Sequence, residues 1–174
     1  MKRASGLDGL GAGWAGPFQI GSYLANAVRS ADSRPPEAPG VYIVSERQWH
    51  GMPDPTCGLL YVARVAYVRY RIGQLLCEMC GFTGDSIEDE AYGHRGGHAL
   101  WHHYCQPRQT EPLGLYIGWC CDCACLDCAA IKLAEMLTVR LNLLTVRSCG
   151  SHRPPLDLAK NCSHRSRTNG NPGL

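Results

Sequence analysis

The chain has 174 residues, 45% of them hydrophobic, and a formal net charge of +2. That length supports one domain with a substantial core, and so weak a charge excludes a sequence-wide basic field for nucleic acid. No apolar run reaches the ~20 residues of a membrane span, and no secretory leader is evident, so an intracellular, cytoplasmic protein without membrane attachment is expected.

Residues 1–33 are rich in Gly, Ala and Ser without a period, and read as a flexible N-terminal arm with one short helix around 23–28. Arg34-Pro35-Pro36-Glu37-Ala38-Pro39 is a stiff lead-in, because proline fixes φ and removes a donor. β-Branched content then predicts a strand over 41–45 and a second over 59–64, with a loop carrying Gly51, Pro53 and Pro55 between them. From Val65 the period changes. Val65, Val68, Ile72, Leu75, Leu76 and Met79 share one helical face, predicting a helix to about Met79.

Residues 81–93 are acidic and turn-rich. A short helix is expected over 98–105, a break at 107–112, a third strand over 113–119, and a second long helix over 127–144. The buried stripe of that last helix is Ala130, Leu133, Ala134, Leu137, Leu141 and Leu144, which leaves Glu135 with Lys132 on the opposite face. Residues 148–174 have little to bury and read as a disordered C-terminal tail. The expectation is an α+β domain over 34–147, a small three-stranded, mainly antiparallel sheet flanked by helices.

Two tyrosine motifs and an arginine carry the functional signal. Pro39-Gly40-Val41-Tyr42-Ile43-Val44 and Tyr61-Val62-Ala63-Arg64 lie on adjacent predicted strands, and Arg71 follows Tyr61 by ten residues on the first long helix. Two phenols and a guanidinium could handle a phosphodiester, whose cleavage needs an activated water, a cation and donors to the non-bridging oxygens. Each has an ordinary reading too: a strand tyrosine packs, and Arg69 flanks the apolar stripe as well as Arg71 does. His94 alone would read as a surface loop residue, and Glu135 as part of a solvated helix face.

In this order and spacing the motifs resemble those of the GIY-YIG nucleases over about residues 40–145. The resemblance implies a divalent-metal-dependent endonuclease acting on DNA. Tyr42 and Tyr61 would position or deprotonate the attacking water, and Arg71 would hold the scissile phosphate. His94, with His98 as the fallback, would match a histidine found in one branch of the family. Glu135 would bind Mg2+ or Mn2+. Arg64, Arg69 and Arg95 are further candidates for phosphate contacts. Ala63 stands where the family usually has glycine, and Leu75 where some branches have histidine.

The sequence also has 11 cysteines, which in a reducing compartment point to metal binding or buried thiols rather than disulfides. Cys77–Cys80 and Cys125–Cys128 are CxxC pairs about 45 residues apart, compatible with a structural four-thiolate Zn2+ that would clamp two helix ends. A set using His94, His98 or His102 and a set of merely buried thiols remain open beside it. The alternative to the endonuclease is a non-catalytic, zinc-stabilised module on the same fold that binds nucleic acid or protein.

Overall fold

The structure is a computed structural model that describes residues 13–80, 94–122 and 125–136. Its elements are β1 (Trp14–Gln19), α1 (Ile20–Arg29), β2 (Gly40–Ser45), β3 (Leu59–Val65), α2 (Val68–Met79), α3 (Arg95–Leu100), α4 (Gln106–Arg108), β4 (Tyr116–Cys120) and α5 (Leu126–Met136). A single π-helical turn, Trp101–Cys105, joins α3 to α4. The strands form one sheet in the order β1-β4-β2-β3, and every pair is antiparallel.

The α+β class and the antiparallel sheet agree with expectation, but the sheet has four strands. Residues 14–29, read as part of an arm, supply the strand β1 and the helix α1. The strand was hidden because Trp14-Ala15-Gly16-Pro17-Phe18-Gln19 lacks β-branched residues. Its stability comes from pairing with β4 and from Phe18 packing on Trp119, with ring centroids 5.1 Å apart. Propensity does not register such tertiary support. The helical path after His94 also begins earlier than expected and runs on to Arg108, with Pro107 at the start of α4 just after the π-helical turn. Val65 ends β3 rather than starting α2. The tail at 148–174 and the end of the last helix lie outside the described residues.

The sheet separates two cores. One face carries Tyr42, Val44, Tyr61, Ala63, Ile117 and Trp119 and is covered by α1, α2 and the α3 region. The other carries Val41, Ile43, Leu59 and Val62 and is covered by Ala129, Ala130 and Leu133 of α5, with Trp49 from the β2–β3 loop. All of β2 is buried, which explains why it reads as an unbroken apolar run instead of an alternating one. Arg64 pairs with Asp127 at 2.9 Å and so ties β3 to the first turn of α5.

α2 buries Val68, Ile72, Leu75, Leu76 and Met79, the stripe expected from its period. Its first turn has no side-chain cap. Instead the lead-in supplies carbonyls: Val68 N–H donates to Ala38 O at 3.0 Å and Arg69 N–H to Pro36 O at 3.3 Å. Prolines suit that role, because they offer an acceptor to the orphan donors of a helix start and bring no competing N–H. Arg69 closes the contact by donating to Pro35 O and to Glu37, each at 2.7 Å.

Gly118 lies beneath Trp49. A Cβ there would come within 2.6 Å of the indole and 2.8 Å of Ala15 O. Gly118→Ala is therefore expected to destabilise the protein by about 1–3 kcal/mol through overpacking. Urea unfolding with an unchanged m-value would check it; a shift below about 0.5 kcal/mol would show that the indole can yield.

Candidate active site

Tyr42 and Tyr61 reach the same face from adjacent strands. Tyr42 stands opposite Ala63, and Val44 opposite Tyr61, so the two phenols are diagonal neighbours with ring centroids 5.9 Å apart. Ordinary alternation gives them that shared face, and a bulge lies immediately beside Tyr61. Val44 pairs with Tyr61 while Ser45 pairs with Leu59, leaving Leu60 as the extra residue. Leu60 and Tyr61 then both join the core under α2, although they are consecutive. Bulges re-aim side chains in this way. The Ala63 Cβ is buried within the same packed layer.

His94 completes the group. It is the residue before α3, and its Nδ1 accepts the Gly97 N–H at 3.1 Å, capping that helix. An imidazole nitrogen that accepts carries no proton, so the neutral ring bears its hydrogen on Nε2. Nε2 lies 2.7 Å from Tyr42 Oη and therefore donates to it. Tyr42 must then direct its own proton elsewhere, and the Tyr61 oxygen accepts it: this bond raises the Tyr42 pKa and opposes the rise at Tyr61. The order of donors is His94 to Tyr42 to Tyr61. Tyr42 is fully buried and Tyr61 is 8% exposed, so Tyr61 is the outer end of the chain.

Two glycines allow this approach. A Cβ on Gly96 would overlap the Tyr61 ring at Cζ, and one on Gly97 would come within 2.6 Å of Leu75 O and 2.7 Å of Glu78 Cβ. The start of α3 is thus pressed against the phenol on one side and the α2 backbone on the other.

Arg71, half-buried on α2, is the charged member. Its guanidinium lowers the pKa of Tyr42, Tyr61 and His94 alike. Burial is the larger influence on all three. It holds Tyr42 well above the ordinary phenol range, raises Tyr61, and depresses His94 to about 4. Arg71 Nη1 donates to Gln74 Oε1 at 2.5 Å, and Gln74 Nε2 donates to Tyr70 Oη at 3.1 Å.

The structure therefore brings Tyr42, Tyr61, Arg71 and His94 together. It also separates Arg71 from Arg69, which periodicity could not do, since Arg69 is engaged with Pro35 and Glu37. Arg64 is engaged with Asp127 on the far face, and Arg95 is exposed at the start of α3. His98 faces His102, with ring centroids 4.2 Å apart. The expectation that a lone His94 would sit in a surface loop is overturned, because it is 1% exposed. Likewise Lys132 is buried, not on a solvated face.

Glu135 is not brought to this group by its helix. Its backbone belongs to α5, which packs on the opposite face of the sheet; its side chain lies outside the described residues. Among the described residues no carboxylate acts on the titration of Tyr42, Tyr61 or His94. The described residues thus do not fit a divalent ion at the phenols. Nor do they fit the four-thiolate clamp. Cys77 and Cys80 belong to the end of α2 on one face, and Cys125 and Cys128 to the start of α5 on the other. Among the described residues no group of three or more His, Cys, Asp or Glu is placed to share an ion.

Gly96, Gly97 and Gln74 are the members that sequence reasoning did not place in the site. The Gly-Gly pair that follows His94 and Arg95 was a usable signal of close backbone approach. Gln74 had only its three-residue step from Arg71. No protein-family model, curated protein or solved structure matches this chain.

The buried neutral imidazole has a pH consequence. Its pKa is about 4 folded, against an ordinary 6.5. Below 6.5 the unfolded chain takes up a proton that the folded chain refuses, so stability falls as pH drops toward 4. The full loss is on the order of 3 kcal/mol. His94→Asn keeps a capping acceptor and lacks this titration. Its stability is expected to fall less than wild type between pH 7 and pH 4, measured by urea unfolding at each pH. Parallel losses in the two proteins would show that His94 titrates normally.

Proposed function

We propose that this chain is an endonuclease that hydrolyses DNA phosphodiesters with GIY-YIG-type chemistry. The observation that carries the reading is the His94–Tyr42 hydrogen bond, set beside Tyr61 and the Arg71 guanidinium. A structural tyrosine pair needs neither a tautomer-fixed histidine nor a neighbouring guanidinium. A site that moves a proton beside an anion uses both.

The donor order assigns the roles. Tyr61, the outer phenol, is the proton acceptor in its ionised form. Its charge is supported by the hydroxyl of Tyr42 and by Arg71. It takes a proton from water, whose oxygen attacks phosphorus while the ester oxygen on the far side leaves and takes up a proton from solvent. Tyr42 does not touch the water; it holds the Tyr61 oxygen and is itself held by His94. Arg71 binds the non-bridging oxygens and stabilises the charge that grows on them in the transition state. Because burial raises the Tyr61 pKa, the ionised form is scarce at neutral pH and the rate is expected to climb as pH rises toward 10.

Glu135 enters through the resemblance alone, as the carboxylate that would bind Mg2+ or Mn2+. The test is nicking of a supercoiled plasmid with Mg2+, with Mn2+ and with neither, across pH 7–9.5. Wild type is expected to cleave. Tyr61→Phe and Arg71→Ala are expected to lose about 100-fold or more in rate while staying folded. A folded wild-type protein that leaves the plasmid intact under every condition, or full activity in Arg71→Ala, would overturn the proposal. Full activity in Glu135→Ala would remove only the carboxylate.

A further inference from the structure

The solvent face of α2 carries more than the arginine. Tyr70, Arg71 and Gln74 lie on successive turns of the helix beside the buried stripe of Val68, Ile72, Leu75 and Met79, and Tyr67 stands at the N-cap just before them. Tyr67 is 61% exposed and Tyr70 64%. Aromatic side chains this exposed offer a ring face to a ligand. Tyr70 is also fixed in place, because its hydroxyl accepts from Gln74 Nε2 at 3.1 Å while the Gln74 oxygen accepts from Arg71 at 2.5 Å. One amide therefore sets the relation between an exposed ring and a guanidinium.

From this arrangement we infer that Tyr70 stacks on the base of a nucleotide adjoining the phosphate that Arg71 binds, with Tyr67 extending the aromatic surface. The inference rests on the proposed nuclease reading and deepens it by naming the substrate class. A base offers its face to a protein ring only when it is not stacked in a duplex. The preferred substrate is accordingly a strand with an unstacked base beside the scissile bond, as in single-stranded or junction nucleic acid. The anion goes to Arg71 and the aromatic base to Tyr70, and Gln74 holds the two recognition groups in register. The weak overall charge is consistent with affinity that does not depend on a broad basic surface.

The experiment is equilibrium binding without divalent ions. The probe is a single-stranded oligodeoxynucleotide containing 2-aminopurine, compared with the same sequence as a duplex. Wild type is expected to bind the single strand more tightly and to quench its fluorescence. Tyr70→Ala is expected to weaken single-strand binding on the order of 10- to 100-fold and to remove the quench. It should leave the slope of log Kd against log salt unchanged, because no phosphate contact is lost. Tyr70→Phe should bind and quench within about twofold of wild type, since the ring face remains. Arg71→Ala should instead lower the salt slope by about 0.7.

Tyr70→Ala binding like wild type, or a duplex preference without quenching, would overturn the stacking assignment. If Arg71→Ala still weakened binding in that case, the nuclease reading would stand. Absence of binding to either oligonucleotide by wild type would remove both.

Discussion

The close approach of Gly96 and Gly97 is the constraint on which the rest of the site depends. Gly96 lies against the Tyr61 ring and Gly97 against the α2 backbone. His94 can reach Tyr42 only because nothing projects from the two residues that follow the intervening Arg95. The Gly97 N–H then fixes the histidine tautomer through Nδ1, so one short stretch both admits the imidazole and decides where its proton sits. A side chain at either glycine would push the start of α3 outward and break the bond to Tyr42. The remaining members arrive on rigid elements: an interior strand, the edge strand paired with it and a helix anchored by its lead-in.

Burial and reactivity run in opposite directions within this group. Tyr42 is the deepest phenol and the hardest to ionise, and His94 stays neutral far into acid. Both are better suited to holding an orientation than to exchanging protons. Tyr61 occupies the boundary, with a hydrogen-bond donor behind it and a cation beside it. The sequence reading put Tyr42 first in activating water, with Tyr61 and His94 aiding it. The difference between the two phenols comes from depth and from the direction of a hydrogen-bond chain, neither of which is written in a three-residue motif.

The strands β2 and β3 were legible from their β-branched content, and the apolar stripe of α2 and the start of the last helix from one period held over many residues. So was the ten-residue step from Tyr61 to Arg71, which separated Arg71 from Arg69 where amphipathicity could not. The fourth strand was not legible. Trp14–Gln19 has poor strand propensity and relies on β4 for its hydrogen bonds. Nor was the bulge at Leu60, since a phase change of one residue looks like ordinary variation in an apolar run. The burial of His94 escaped for a related reason: a polar residue between glycines reads as a turn until its partners are known. Glu135 shows the limit from the other side. Its place on a late helix fits the order of the motifs, but order along the chain does not specify which face of a sheet a helix covers.

The single sheet gives each central strand two audiences. Along β2, Tyr42 and Val44 belong to the layer with the phenols and His94, while Val41 and Ile43 pack toward α5 and Trp49. Substitutions on the second side can reach the reacting groups only by tilting the strand itself. That side is therefore free to vary in sequence so long as volume is kept, and stability can be raised or lowered there with little effect on the chemistry. The first side has no such latitude, because its packing distances are also its hydrogen-bond distances. The molecule is in this sense divided into an adjustable half and a fixed half, with one layer of backbone as the border.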